Sequence, residues 1–178
     1  EICFGVMTFN SQKGWIHLGV QEQKDANRLT SVAIEQGVNF FDTADVYSNG
    51  ISESMLGKAL GSKRKDVVIA TKGEGRMGNG PNDEGHSRQH LIKACEDSLK
   101  RLNTDYIDLY QVHSFDFITP LDEMMLALDQ LVKDGKVRYI GISNFFAWQI
   151  MKLMSISEIQ NLNKIISLQA YYSLVGRD

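Results

Sequence analysis

Val38-Asn39-Phe40-Phe41-Asp42-Thr43-Ala44-Asp45-Val46-Tyr47 is an apolar run that ends in polar groups. Runs of the same kind occupy residues 2–8, 67–72, 106–113, 137–144 and 165–171. Short, almost continuously hydrophobic runs of this kind suit strands buried on both faces of a parallel sheet. Their ends matter most. Asp42, Lys72, His113, Asn144 and Gln169 each stand at or near the last residue of a run. Any one of these could merely start a turn. Five together suit a fold that gathers all its C-terminal strand ends on one rim.

Helix-period segments fill the spaces between the runs. The clearest has Thr119 as expected N-cap and Pro120 at the first helical position, with Leu121, Met124, Met125, Leu128, Leu131 and Val132 inward and Gly135 closing it. A second starts at Ser87 and buries Leu91, Ile92, Cys95, Leu99 and Leu102. A third runs from Asp25 through Leu29, Val32 and Ala33 to Gly37, and a short one follows Ser52 as far as Gly61. A fifth begins near Ala147, with Ile150, Met151 and Leu153 as packers. A βαβα beat means a parallel sheet with helical crossovers. The beat is shared by the open doubly wound sheet and the closed (β/α)8 TIM-type barrel. The polar strand ends favour the barrel.

The chemistry of those ends can be worked out. Tyr47 lies in the loop after the second strand, and a free tyrosine, with a pKa of about 10, is a poor acid at neutral pH. A Lys72 ammonium beside it favours the phenolate and makes Tyr47 a better proton donor. Asp42 can pair with Lys72 and fix it. His113 can hydrogen-bond a carbonyl oxygen. Together they can protonate an oxygen as hydride reaches the adjacent carbon. None of these side chains supplies hydride, so a cofactor has to.

Composition sets outer limits. The chain has 178 residues and a net charge of −3, from 19 Lys and Arg against 22 Asp and Glu. That balance offers no electrostatic case for binding nucleic acid or an anionic membrane. No apolar run approaches the ~18–20 residues needed to span a bilayer. The N-terminus lacks a secretory signal pattern, so a cytoplasmic protein is expected. Cys3 and Cys95, the two cysteines, are expected to be buried small hydrophobes, and they make neither a disulfide framework nor a metal ligand set.

The segment Gly37 to Tyr47 followed by Ser52-Glu53 and Leu56-Gly57 resembles the aldo-keto reductase signature. Ala70-Thr71-Lys72 resembles that family's lysine strand, and Asp105 to His113 its histidine strand. Gly135 to Phe145 resembles its fifth-strand motif, and Leu168-Gln169-Ala170-Tyr171-Tyr172 its sixth. The resemblance implies a (β/α)8 barrel that uses NADP(H) to reduce a small aldehyde or ketone to the alcohol. It implies Tyr47 as proton donor, with Asp42, Lys72 and His113 assisting. It places the nicotinamide against Gly5, Val6, Met7 and Asp42, with Ser143, Asn144 and Gln169 holding its carboxamide. The family often has threonine where Val6 stands, so a hydroxyl is absent there. A family barrel has eight strands. Residues 1–178 are therefore expected to form an incomplete barrel domain with about six of eight strand-helix units. Open edges would then favour self-association, and the isolated chain would be a poor enzyme.

Other readings compete. A noncatalytic regulatory subunit of the potassium-channel β type shares this fold and many of these motifs. The resemblance implies that such relatives depart at the histidine position, so the intact His113 favours an enzyme. An inactive truncated fragment is the third reading. Gly73-Glu74-Gly75-Arg76-Met77-Gly78 is a literal G-x-G-x-x-G. It should not bind a dinucleotide, because the next helix is expected only near Ser87, whereas the fingerprint must open directly into one. Lys63-Arg64-Lys65 reads as a solvated turn, and His17, His86 and His90 as surface or helix-start residues. Trp15 reads as loop packing or pocket lining, and Trp148 as a contact between helix and barrel.

Overall fold

The computed structural model describes residues 2–10, 21–173, 175 and 176. It contains strands β1 (Cys3–Gly5), β2 (Phe40–Asp42), β3 (Val68–Gly73), β4 (Ile107–Val112), β5 (Val137–Ser143) and β6 (Ile165–Gln169). Helices α1 (Gln23–Glu35), α2 (Ile51–Leu60), α3 (Arg88–Leu102), α4 (Leu121–Lys133) and α5 (Ala147–Gln160) alternate with them. Every strand is parallel to its neighbours, and the sheet order is β1-β2-β3-β4-β5-β6. A doubly wound sheet reverses its order at a switch point; this one never does. The sheet also curls. On a flat sheet β2 and β6 would lie about 19 Å apart, at about 4.8 Å per strand. Here Gln169 Nε2 donates to Asp42 Oδ1 at 3.3 Å. The fold is thus part of a (β/α)8 barrel, as the strand ends predicted.

A single apolar core lies between sheet and helices, built from Phe41, Ile69, Tyr110 and Ile142 on the strands and Leu56, Leu91, Met125, Leu128 and Leu153 on the helices. At the N-terminal end of the strands, Asp108 accepts from Arg64 Nη2 (2.8 Å), Arg138 Nη1 (2.9 Å) and the Ile69 amide (3.0 Å). Both guanidiniums lie over the Tyr106 ring, at 4.2 and 3.9 Å from its centroid. Arg64, with its side chain 11% exposed, is therefore not a solvated turn residue but the covered half of a clamp whose other half, Arg138, is exposed. Among the described residues no helix is long and apolar enough to cross a membrane.

Several local expectations need correction. Thr119 does not cap α4: its hydroxyl donates to Asp116 (2.6 Å), and Pro120, with extended ψ of 136°, takes the cap position. Helix α1 starts two residues before Asp25, which instead accepts the Glu22 amide as part of a capping box. Val32 and Met151 face solvent, because their helices bury Ala26, Thr30 and Ala33, and Leu153 and Ser157, instead. Trp148 is mostly exposed, and among the described residues the one aromatic ring it meets is Phe115, in a T-shaped contact. Cys3 is exposed, on a strand paired only with β2 among the described residues, whereas Cys95 is buried as expected. His86 and His90 are buried rather than superficial, and His86 stacks on Phe145 and donates to the Ser114 carbonyl (2.7 Å). Trp15 and His17 lie outside the described residues.

Candidate active site

The C-terminal strand ends bring four of the predicted groups into one cluster. Lys72, at the end of β3, is 1% exposed. Its ammonium donates to Asp42 Oδ2 (2.7 Å), the Thr43 carbonyl (2.9 Å) and the Tyr47 hydroxyl (3.3 Å). An ammonium has three donors, so all three are committed. The ammonium also lies 5.0 Å from the centroid of the Tyr47 ring. The His113 ring meets Tyr47 edge-on, with centroids 5.8 Å apart and planes at 82°. Burial, and secondarily the Lys72 charge, push the His113 pKa down to about 4. The imidazole is thus neutral at pH 7 and can donate a hydrogen bond without carrying charge.

The backbone holds these groups in place. Residue pairing sets Asp42 beside Ala70, and the Asp45 amide donates to the Lys72 carbonyl (3.0 Å). Three consecutive left-handed residues follow Tyr47: Ser48 (φ 50°), Asn49 (φ 55°) and Gly50 (φ 85°). Such a conformation costs each non-glycine residue about 1 kcal/mol or more. The turn is held by Ser48 Oγ donating to the Phe9 carbonyl (3.2 Å) and by the Asn49 amide on Val46 O (3.1 Å). Glycine at 50 is needed twice over, since a Cβ there would stand 2.6 Å from Arg101 Cδ.

The remaining predicted residues flank this cluster. Asn144 has left-handed backbone (φ 59°), and its Nδ2 donates to the His113 carbonyl and to Ser143 Oγ, both at 3.1 Å. Gln169 pairs in register with Ser143 and reaches Asp42. Gly5 pairs with Asp42, and the space where its Cβ would stand is open. Met7 is 40% exposed. Val6 is different: its side chain is buried in the core, its amide donates to Asp42 O (2.9 Å), and its carbonyl accepts from Ser52 Oγ (2.7 Å).

Sequence reasoning assigned no role to two buried carboxylates behind this cluster, Glu53 and Asp45. Glu53 is fully buried and accepts from Thr71 Oγ1 and Arg101 Nε, both at 2.6 Å. Arg101 comes from α3, far along the chain, so no local pattern could pair it with Glu53. Asp45 is also fully buried. Its signal was a carboxylate inside the apolar run Ala44-Asp45-Val46.

Comparison with known proteins places the fold in a family. The model of the aldo/keto reductase family matches residues 1–178. The chain is 36% identical over 200 residues to versiconal hemiacetal acetate reductase of Aspergillus parasiticus, covering 100% of this chain and 57% of that one. It is 39% identical over 174 residues to a probable voltage-gated potassium channel subunit beta of Oryza sativa subsp. japonica, covering 94% and 52%. A solved aldo-keto reductase from Bacillus halodurans, in its holo form, superposes with a TM-score of 0.79 at 34% identity, covering 99% of this chain and 55% of that one. The chain spans just over half the length of the curated relatives it matches. Curl, strand order and a family match along all 178 residues agree, and the chain belongs to the aldo/keto reductase family.

Proposed function

We propose that the protein reduces an aldehyde or ketone to the alcohol, with Tyr47 as the proton donor. The observation that carries this reading is the sharing of one buried ammonium, Lys72 Nζ, between Asp42 Oδ2 at 2.7 Å and the Tyr47 hydroxyl at 3.3 Å. A cation against a phenol stabilises the phenolate left behind when the proton leaves. Asp42 holds the ammonium in place. Neutral His113, beside Tyr47, can donate to the same carbonyl oxygen and orient it.

NADPH, expected from the family resemblance, would supply the hydride when bound. The residues at the rim fit a nicotinamide. Asn144 spends both of its amide donors and Gln169 one of its two on protein partners, and both side-chain carbonyl oxygens can accept from a carboxamide NH2. The Ser143 hydroxyl can donate to its oxygen. The open space at Gly5 and the neighbouring Met7 would admit the ring's edge. At Val6 the backbone groups are already bonded, so its part would be packing beneath Gly5.

In the full-length protein, Tyr47→Phe should abolish aldehyde reduction while NADPH fluorescence titration stays within about twofold of wild type. Retained turnover would refute the acid assignment. The similarity to a channel subunit supplies a second reading, a redox-silent regulatory protein. NADPH binding without consumption of any reactive aromatic aldehyde would favour it.

A further inference from the structure

The buried acid Asp45 takes no part in the mechanism above, yet it begins the turn that presents Tyr47. Its amide donates to the Lys72 carbonyl (3.0 Å), and its Oδ1 accepts the Val46 amide (2.7 Å). Its Oδ2 is buried and has no hydrogen-bond partner among the described residues. The next amide, that of Tyr47, donates back to Ala44 O (3.2 Å). Asp45 is therefore joined to Lys72 through its backbone and to Tyr47 through one intervening residue, with one carboxyl oxygen buried and unpartnered among the described residues.

The charges around it decide what that oxygen carries. Glu53 faces it from α2, Glu74 from the loop after β3, Tyr110 from β4 and Arg101 from α3. Lys72 lies beside it on β3. Both cations are already engaged: Arg101 with Glu53 (2.6 Å) and Ser98 (3.1 Å), and Lys72 with Asp42, Thr43 and Tyr47. Among the described residues an ionised Asp45 would be a buried anion with no cation of its own and two carboxylates for neighbours. Such a charge is costly unless paired. Burial, then Glu53, raises the Asp45 pKa to about 7.

We propose that Asp45 is a positioning residue for Tyr47: as the neutral acid it holds the Val46–Tyr47 turn against β3, and on ionising it draws that turn toward water and loosens the contact between Tyr47 and Lys72. The inference rests on the reading of Tyr47 as proton donor for its functional meaning. Its test reads the position of Tyr47 directly, so it stands or fails whether or not the protein reduces aldehydes.

The experiment uses 13Cζ-tyrosine labelling of the full-length protein, with the Tyr47 resonance assigned by its disappearance in Tyr47→Phe. The wild-type signal is expected to shift with a midpoint near pH 7, following Asp45. Asp45→Asn, which keeps an acceptor for the Val46 amide but cannot ionise, should hold the signal at its low-pH position throughout. Glu53→Gln, which retains partners for Thr71 and Arg101 but removes the adjacent negative charge, should lower the midpoint by about one pH unit. A midpoint that survives in Asp45→Asn, or a wild-type signal flat from pH 5 to 8.5, would overturn the proposal. A purely structural role for Asp45 would move the signal in the variant but give no wild-type midpoint, and that outcome also counts against it.

Discussion

Replacing Lys72 by methionine should damage the protein in two separable ways. The ammonium is buried, and its removal leaves the Asp42 carboxylate, 13% exposed, with only Gln169 at 3.3 Å as a recorded donor among the described residues. Breaking a buried ion pair on one side costs about 3–5 kcal/mol. Because Asp42 sits at the rim, the lower end, about 3 kcal/mol, is expected. Asp42→Asn leaves the ammonium with Thr43 O, Tyr47 and an amide oxygen, and should cost about 2 kcal/mol. In the double variant neither charge is stranded. Its loss should again be about 2 kcal/mol, which corresponds to a coupling of about 3 kcal/mol. Urea unfolding of all four proteins measures this. Turnover should behave otherwise: Lys72→Met should slow aldehyde reduction by about 10²–10⁴, the range of general acid catalysis, and the double variant should not recover it. Stability losses that simply add would show that the pair is not coupled. Restored turnover in the double variant would show that Lys72 serves only to balance Asp42.

His113 gives a prediction in pH. The unfolded chain protonates it near 6.5, but the folded protein resists protonation down to about 4. The stability conferred by the neutral ring is thus fully present above pH 6.5 and is lost as pH falls toward 4. The shift corresponds to about 3 kcal/mol, reduced to about 2 because the ring is partly solvated. His113→Gln should remove that slope from urea unfolding between pH 7 and 4, and an unchanged slope would contradict it. At the other end of the strands, Arg64→Gln should cost about 3 kcal/mol and Arg138→Gln under about 1. Both bind Asp108, but their side chains are 11% and 55% exposed. Equal thermal destabilisation by the two would refute the burial argument.

The sequence already contained the beat of strands and helices and the polar group at each strand end, because both follow from local pattern. Asp42, Lys72 and His113 could be placed on one rim once the sheet was read as a barrel. Less legible were features set by tertiary contact. Arg64 sits in a basic run that looks solvated, and only the approach of Asp108 and Tyr106 makes it a clamp. His86 and His90 carry no pattern of burial; His86 is covered by Phe115 and Phe145, and His90 lies against Asn82 and Gly75 of the loop after β3. Thr119 has the chemistry of a helix cap, but Asp116 competes for its hydroxyl and wins. Glu53 and Arg101 meet across 48 residues. Asp45 was visible as an acid in an apolar run, but its isolation from cations required the three-dimensional arrangement.

The pairing of β6 with β5 shifts register between Ile140 and Gly141, and a Cβ at Gly141 would overlap Ser167 Oγ. Strand side chains alternate faces, so a slip of one residue inverts them all. The irregularity sets Gln169, rather than Leu168, opposite Ser143 and within reach of Asp42. The bulge therefore acts as the frame setter of the rim. Changing the spacing between Gly141 and Ser143 by one residue would present leucine where an amide now stands and would erase the hydrogen bond from Gln169 on β6 to Asp42 on β2. Half of the site's amide chemistry depends on a backbone offset that carries no functional side chain of its own.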